Sequence, residues 1–174
     1  IEDGELMDPT YYSKSVDVTI TQLDQPLPEA YYKLVGANLE GKTWVFDGGP
    51  APDGRKWWYM AAPYNWQELW WNAAGDCCPP ADASGKMVFD LDGGANFTYY
   101  ASSTGTPVTG SSWGFNADYT KLTIKGNANI LGSMEGGGNN KVFQIKEFTA
   151  DKLTLYVPDA AWATGWVWVF KPAP

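Results

Sequence analysis

The feature that most constrains this chain is that its apolar residues recur at every second position, in runs too short to be helices. The runs cover Ser15 to Thr21, Thr43 to Phe46, Met87 to Asp92, Phe97 to Ala101, Lys121 to Lys125, Val142 to Phe148, Lys152 to Val157 and Trp166 to Phe170. Gly, Asn, Asp and Pro separate them, which is how strands are punctuated. Met87, Phe89 and Leu91 share one face, as do Leu153, Leu155 and Val157. The loop Gly93-Gly94-Ala95-Asn96 makes a hairpin of its two flanking runs, and Thr149-Ala150-Asp151 makes another. No stretch keeps a 3.6-residue period over helical length, although Asn65 to Ala74 has room for a helical turn. The expected fold is all-β with little helix: an antiparallel two-sheet β-sandwich of jelly-roll or Ig-like type, ahead of a barrel.

The 174 residues suit one domain with a short appendage. Ser13 to Gln22 reads as a strand without a local partner, and Asp24-Gln25-Pro26-Leu27-Pro28 reads as a linker. Residues 1–34 are therefore expected to be the final strand of an upstream Ig- or PKD-like domain plus a linker, and 35–174 the main sandwich. The alternative is that the early strand edges that sandwich. The chain opens on Ile1 without a signal peptide, so an excised or mature piece is expected, its export signal lying outside. No apolar run approaches the roughly 20 residues of a membrane span, so direct membrane insertion by this segment is not expected.

Charge excludes several partners. Twelve basic and twenty acidic side chains leave a net charge of −8. That disfavours nucleic acid, whose phosphates need clustered Lys and Arg, and anionic lipid. The chain has no His, which removes the commonest general base and zinc ligand. The two cysteines, Cys77 and Cys78, are adjacent, so they are either free thiols in a loop or a vicinal disulfide. Asp90-Leu91-Asp92-Gly93-Gly94 and the Asp47 to Asp53 stretch offer oxygen ligands, but neither fits the helix–loop–helix calcium pattern. Asp-Gly pairs also simply build turns. No cofactor and no metal ligand are expected, with structural calcium left open.

Ten Trp, ten Tyr and seven Phe make 16% of the chain, more rings than a core of this size needs. Trp44, Trp113, Trp166 and Trp168 lie in alternating runs and read as core. The cluster Trp57, Trp58, Tyr64, Asn65, Trp66, Gln67, Glu68, Trp70 and Trp71 lacks clean alternation and reads largely as loop. Either its rings plug the sandwich, or some stand in a groove and stack on a flat, weakly polar ligand. A pyranose fits: its C–H face stacks on indole and its hydroxyl rim meets amides and carboxylates. Trp66, Trp70 and Trp71 are the foremost stacking candidates, and Trp162, in a loop of small residues, is a further one. A glycosidase needs two carboxylates at a set separation. Only Asp90 and Asp92 pair at i, i+2 on a strand with aromatic neighbours, and they sit at a turn. No nucleophile elbow, phosphate loop or metal triad is present. No catalytic residue is assigned. The expected function is a non-catalytic carbohydrate-binding module, monomeric, for a neutral β-glucan or hemicellulose. A glycoside hydrolase or lyase on a sandwich, and a protein-docking domain, are the alternatives.

A family resemblance points the same way. Lys42 to Asp47, Trp57-Trp58 with Ala61-Ala62-Pro63 and Asn65, Phe89 to Asp92 with Phe97-Thr98-Tyr99, Leu153 to Leu155 and the closing Trp166 to Phe170 carry it. They resemble the C-terminal domain of surface glycan-binding lipoproteins in Bacteroidetes polysaccharide-utilisation systems. Ser13 to Gln22 is similar to the last strand of the PKD or Ig-like spacer found upstream in such proteins. The resemblance implies a non-enzymatic domain at the outer-membrane surface of a Gram-negative bacterium, capturing polysaccharide. The stretch Gly48-Gly49-Pro50 to Arg55 is shorter and more polar than that family's Gly-rich segment, and Trp66 to Pro80 looks like an elaboration.

Overall fold

A computed structural model of the chain describes residues 25–133 and 140–174. The expected strand Ser13 to Gln22 lies outside the described residues. Among the described residues ten strands form one antiparallel sheet: β1 (Lys42–Phe46), β2 (Trp58–Ala62), β3 (Asn65–Trp71), β4 (Lys86–Asp90), β5 (Asn96–Tyr100), β6 (Val108–Phe115), β7 (Lys121–Lys125), β8 (Val142–Phe148), β9 (Leu153–Val157) and β10 (Gly165–Pro172). Two short helices, α1 (Glu29–Val35) and α2 (Ala73–Asp76), accompany them.

The sheet is a closed barrel, which corrects the expected two-sheet sandwich. Strands β4 to β10 run as a meander, and β1 pairs with β4 on one side and β10 on the other, closing eight strands into a ring. The closure lies in how β10 divides one of its edges. Phe170 to Pro172 pairs with Phe46 to Trp44 of β1, and Gly165 to Trp168 pairs with Ala61 to Trp58 of β2. The Asp47 N–H donates to the Val169 carbonyl (2.9 Å), and the Val169 N–H donates to the Trp57 carbonyl (2.8 Å). β1 and β2 are thus one interrupted strand. The β1 half closes the barrel; the β2 half leaves it and carries β3 as a free edge.

Side chains fill the lumen. Trp44, Phe46, Met87, Phe89, Phe97, Leu122, Phe143, Leu155, Trp168 and Phe170 are buried. Their rings pack at centroid distances of 4.9 Å (Phe46–Phe170), 4.8 Å (Phe89–Phe97) and 5.6 Å (Phe143–Trp168). α1 closes one end: Leu34 and Val35 are buried, Tyr31 packs on Trp113 and Phe115, and the Leu34 carbonyl accepts the Trp44 indole N–H at 2.9 Å. The expected boundary at residue 34 falls inside this helix. At the other end Ile130 and Leu131 are buried, and Gly132 sits against Phe46 and Trp58 with φ of 68°. The Asp82 carboxylate holds that segment by accepting the Gly132 N–H at 2.9 Å and the Tyr99 hydroxyl at 2.7 Å.

Six indoles are buried, and they divide into two groups. Those of Trp44, Trp57 and Trp113 donate to Leu34, Asp53 and Asp90. Those of Trp58, Trp166 and Trp168 meet no acceptor among the described residues. An unpaired buried donor costs about 1–3 kcal/mol, whereas burying the roughly 150–250 Å² of an aromatic side chain at about 25 cal/mol per Å² contributes about 4–6 kcal/mol. The rings therefore remain in the core.

Candidate functional site

The β2–β3 hairpin gathers most of the predicted site residues and sorts them into three groups. Trp57 and Trp58 are 0% and 3% exposed and offer no ring face to a ligand. Trp57 lies on Phe46 (4.8 Å), and Trp58 opposes Trp168 and packs on Trp166 (4.8 Å). Both belong to the core, which corrects their expected place in the site. Trp66 is half-buried against the core. Tyr64, Asn65, Gln67, Glu68, Trp70 and Trp71 are exposed, with Trp70 at 51% and Trp71 at 37%.

The register explains why. Met60 faces Trp71, Ala61 faces Leu69 and Ala62 faces Asn65. Trp70 is therefore one extra residue on β3, and Trp66, Gln67 and Glu68 are three more. Bulged residues leave the ladder, bend the strand and re-aim their side chains. That is why the segment lacks alternation in sequence although it is a strand. Beneath it, the Tyr59 hydroxyl donates to the Trp66 carbonyl at 3.3 Å. Burial, and after it the charge of Glu147, push that hydroxyl up to about 12, so it stays a donor.

Glu68 organises the outer face. Its Oε1 accepts the Trp70 indole N–H at 3.1 Å and its Oε2 accepts the Asn65 amide at 3.3 Å. Each carboxylate oxygen keeps acceptor capacity for a hydroxyl. The bond to Trp70 fixes the indole edge and leaves its face to solvent. Trp71 is held edge-on to buried Trp166, 6.4 Å away. The result is an exterior surface of aromatic faces with an oriented carboxylate and amide beside them.

Trp70 and Trp71 lead into α2, whose end carries a disulfide between Cys77 and Cys78. The Ala73 carbonyl accepts the N–H groups of both, at 3.3 and 2.8 Å, and both residues are exposed. Of the two sequence alternatives the structure has the vicinal bridge. A crosslink between neighbours closes almost no loop, and loop closure is what the entropic stabilisation of a disulfide scales with. Reduction and alkylation are expected to shift the urea unfolding free energy by under about 1 kcal/mol, against the 2–4 kcal/mol of a long-loop disulfide. Unfolding on reduction would contradict this.

Trp162 belongs to the tight turn between β9 and β10 rather than to β3 itself, and is 73% exposed. The carboxylates Asp90 and Asp92 cap a turn: Asp90 Oδ1 accepts the Asp92 N–H (3.1 Å) and the Asn96 amide (2.7 Å). They border an open polar depression of about 580 Å³ that also includes Glu40, Thr98 and Ser112. No group of three or more potential metal-ligating side chains gathers among the described residues. In the Asp47 to Asp53 stretch the acids meet cations instead. Asp53 accepts Arg55 Nε at 2.9 Å, and Asp47 lies 3.8 Å from Arg55 and 3.7 Å from Lys171. Burial pushes the Asp53 carboxyl up, but the Arg55 and Trp57 donors outweigh it and hold it below the usual range. No helix among the described residues is long and apolar enough to cross a membrane. A pocket of about 350 Å³ opens at the barrel mouth between Tyr99, Val108, Ala128 and Ile130, with Asp82, Asn127 and Asn129 at its margin; sequence reasoning missed it.

Fold and site together define a closed antiparallel β-barrel with a packed interior and an aromatic hairpin on its outside. Residues 58–155, more than half of the chain, match the family model of the lipocalin-like domain, and the chain belongs to that family. The match runs from β2 into β9 and agrees with the barrel over the sandwich. A search of curated proteins found no match.

Proposed function

We propose that this domain is a non-catalytic carbohydrate-binding module that captures a neutral polysaccharide on the exposed face of β3, at the surface of a Gram-negative bacterium. The observation that carries the reading is Trp70. Its ring is half exposed because a bulge expels it from the ladder, and its edge is held by a carboxylate that keeps acceptor capacity for hydroxyls. The packed lumen supports an exterior site. The net charge of −8 favours a neutral glycan over an acidic one. The same bulges weaken the protein-docking alternative, since an edge strand with interrupted register is a poor template for strand addition. Displaced water offsets most of each hydrogen bond, so affinity is expected between about micromolar and millimolar, roughly −8 to −4 kcal/mol.

Affinity electrophoresis of the domain through gels containing β-1,3-glucan, β-1,4-glucan, xylan, mannan or a polyuronate tests this. Retardation by a neutral glycan without release of oligosaccharide on prolonged incubation is the expected result. Release of oligosaccharide would favour a hydrolase or lyase, and no retardation in any gel would overturn the reading. The mouth pocket favours a second reading, a small apolar ligand held there. Such binding would be indifferent to every substitution on β3.

A further inference from the structure

We infer that Tyr64 and Trp162 form a two-ring clamp that grips a sugar at the turn end of the β3 surface, and that it selects an all-equatorial, gluco-configured pyranose. The inference rests on the saccharide reading above. These are the two most exposed large apolar side chains of the described residues, at 77% and 73%. Both stand on left-handed backbone, with φ of 66° for Tyr64 and 60° for Trp162, and Ala163 beside the latter has φ of 54°. Gly or Asn occupies that region readily, and a bulky ring does so against its preference. Two rings held in a disfavoured conformation, both pointing away from the core, call for a gain outside the fold.

The register brings them together. Ala61 of β2 faces Gly165 of β10 in an antiparallel pair. Tyr64 lies three residues beyond Ala61 and Trp162 three before Gly165, so the two loops leave the same end of one ladder. Both loops are anchored. The Tyr156 hydroxyl reaches across β10 to donate to the Ala62 carbonyl at 2.9 Å. It can cross because Gly165 has no side chain: a Cβ there would lie 2.6 Å from the Tyr156 ring. The Ala160 N–H donates to the Thr164 carbonyl at 2.7 Å and closes the Trp162 loop. The clamp is continuous with the β3 surface, because Tyr64 precedes Asn65, whose amide holds Glu68.

A guest gripped between these two rings would have both of its faces covered. A pyranose with all-equatorial hydroxyls presents C–H groups on both faces, whereas an axial hydroxyl makes one face polar and leaves that hydroxyl unpaired against a ring. The test is calorimetric titration of β-glucan and β-mannan oligosaccharides, two to six units long, into wild type, Tyr64→Asn, Trp162→Asn and the double variant. Asn suits left-handed backbone, so thermal stability is expected to hold or rise. Affinity for the glucan hexasaccharide is expected to fall at least tenfold in each single variant. The double variant is expected to be little worse than the weaker single one, since either ring needs the other. Wild type is expected to prefer gluco- over manno-oligosaccharide, and the variants to lose that preference. Wild-type binding that neither Asn variant alters, or additive losses without loss of preference, would overturn the clamp and leave the β3 site standing. Absence of wild-type binding to every saccharide would overturn both.

Discussion

Trp70→Ala is expected to abolish or sharply reduce retardation by whichever glycan the wild-type domain binds, while leaving the barrel folded. The residue contributes little to the core, because it is an extra residue on a strand already outside the closed ring. Its loss removes one exposed ring and one surface hydrogen bond to Glu68, and surface changes of this kind alter stability by about 0.5 kcal/mol. In binding it is an aromatic anchor, and truncation of such an anchor costs about 2 kcal/mol or more, roughly thirtyfold in affinity. Binding near the millimolar end weakened by that factor falls below what a gel detects, and binding near the micromolar end remains as reduced retardation. Trp70→Phe keeps a stacking face but loses the bond to Glu68, and is expected to fall between. Unaltered retardation of a folded Trp70→Ala domain would remove β3 as the site. Trp57→Ala and Trp58→Ala are unsuitable tests, because both rings are buried and their loss would act through folding.

That contrast marks where local sequence stops being informative. The strands were legible: β4 and β5 lie where the hairpin at Gly93 to Asn96 predicts, and β7, β8, β9 and β10 match the alternating runs. The closure was not. Inward and outward residues alternate identically in a sandwich and in a barrel, and the difference rests on β10 sharing one edge between β1 and β2. α1 falls where the sequence reads as linker, because seven residues are too few to display a period. The available signals were Pro28 just before its start and the Glu29–Lys33 pair at i, i+4, which closes at 3.2 Å.

The site was partly legible for an energetic reason. Counting aromatic rings pointed to surplus Trp, and Trp70, Trp71 and Trp162 are indeed on the surface. A buried indole does not always need an acceptor, since Trp58, Trp166 and Trp168 are buried without one among the described residues. Trp57 shows the remaining difficulty. It neighbours Trp58 and looks the same in sequence, yet it is buried by a residue nine positions earlier, and that residue is a glycine.

Gly48→Ala is expected to be the most damaging single methyl addition in the molecule. An added Cβ would fall 1.7 Å from Trp57 Nε1 and 1.8 Å from Cδ1, inside the indole. The indole has nowhere to shift, since it is fully buried, packed on Phe46 at 4.8 Å and tied to Asp53 at 3.1 Å. Asp53 in turn holds Arg55, and the Trp57 carbonyl accepts the Val169 N–H that joins the two halves of the interrupted strand. Expelling the ring resembles deleting a buried Trp, about 3–5 kcal/mol, and for a chain of this length lowers the melting temperature by roughly 10 °C or more. Gly114→Ala supplies the comparison: a Cβ there meets nothing within 4 Å, so the expected change is within about 0.5 kcal/mol. Urea denaturation of both variants, with Trp57→Ala and the double variant Gly48→Ala/Trp57→Ala, completes a cycle. Once the indole is gone the added methyl has nothing to strike, so the double variant is expected to be no less stable than Trp57→Ala alone. Because the Asn72 amide at the end of β3 donates to the Gly54 carbonyl of the same loop (3.3 Å), Gly48→Ala is also expected to weaken glycan binding without touching the glycan. A Gly48→Ala protein that melts with wild type would mean that Trp57 does not sit beneath that loop.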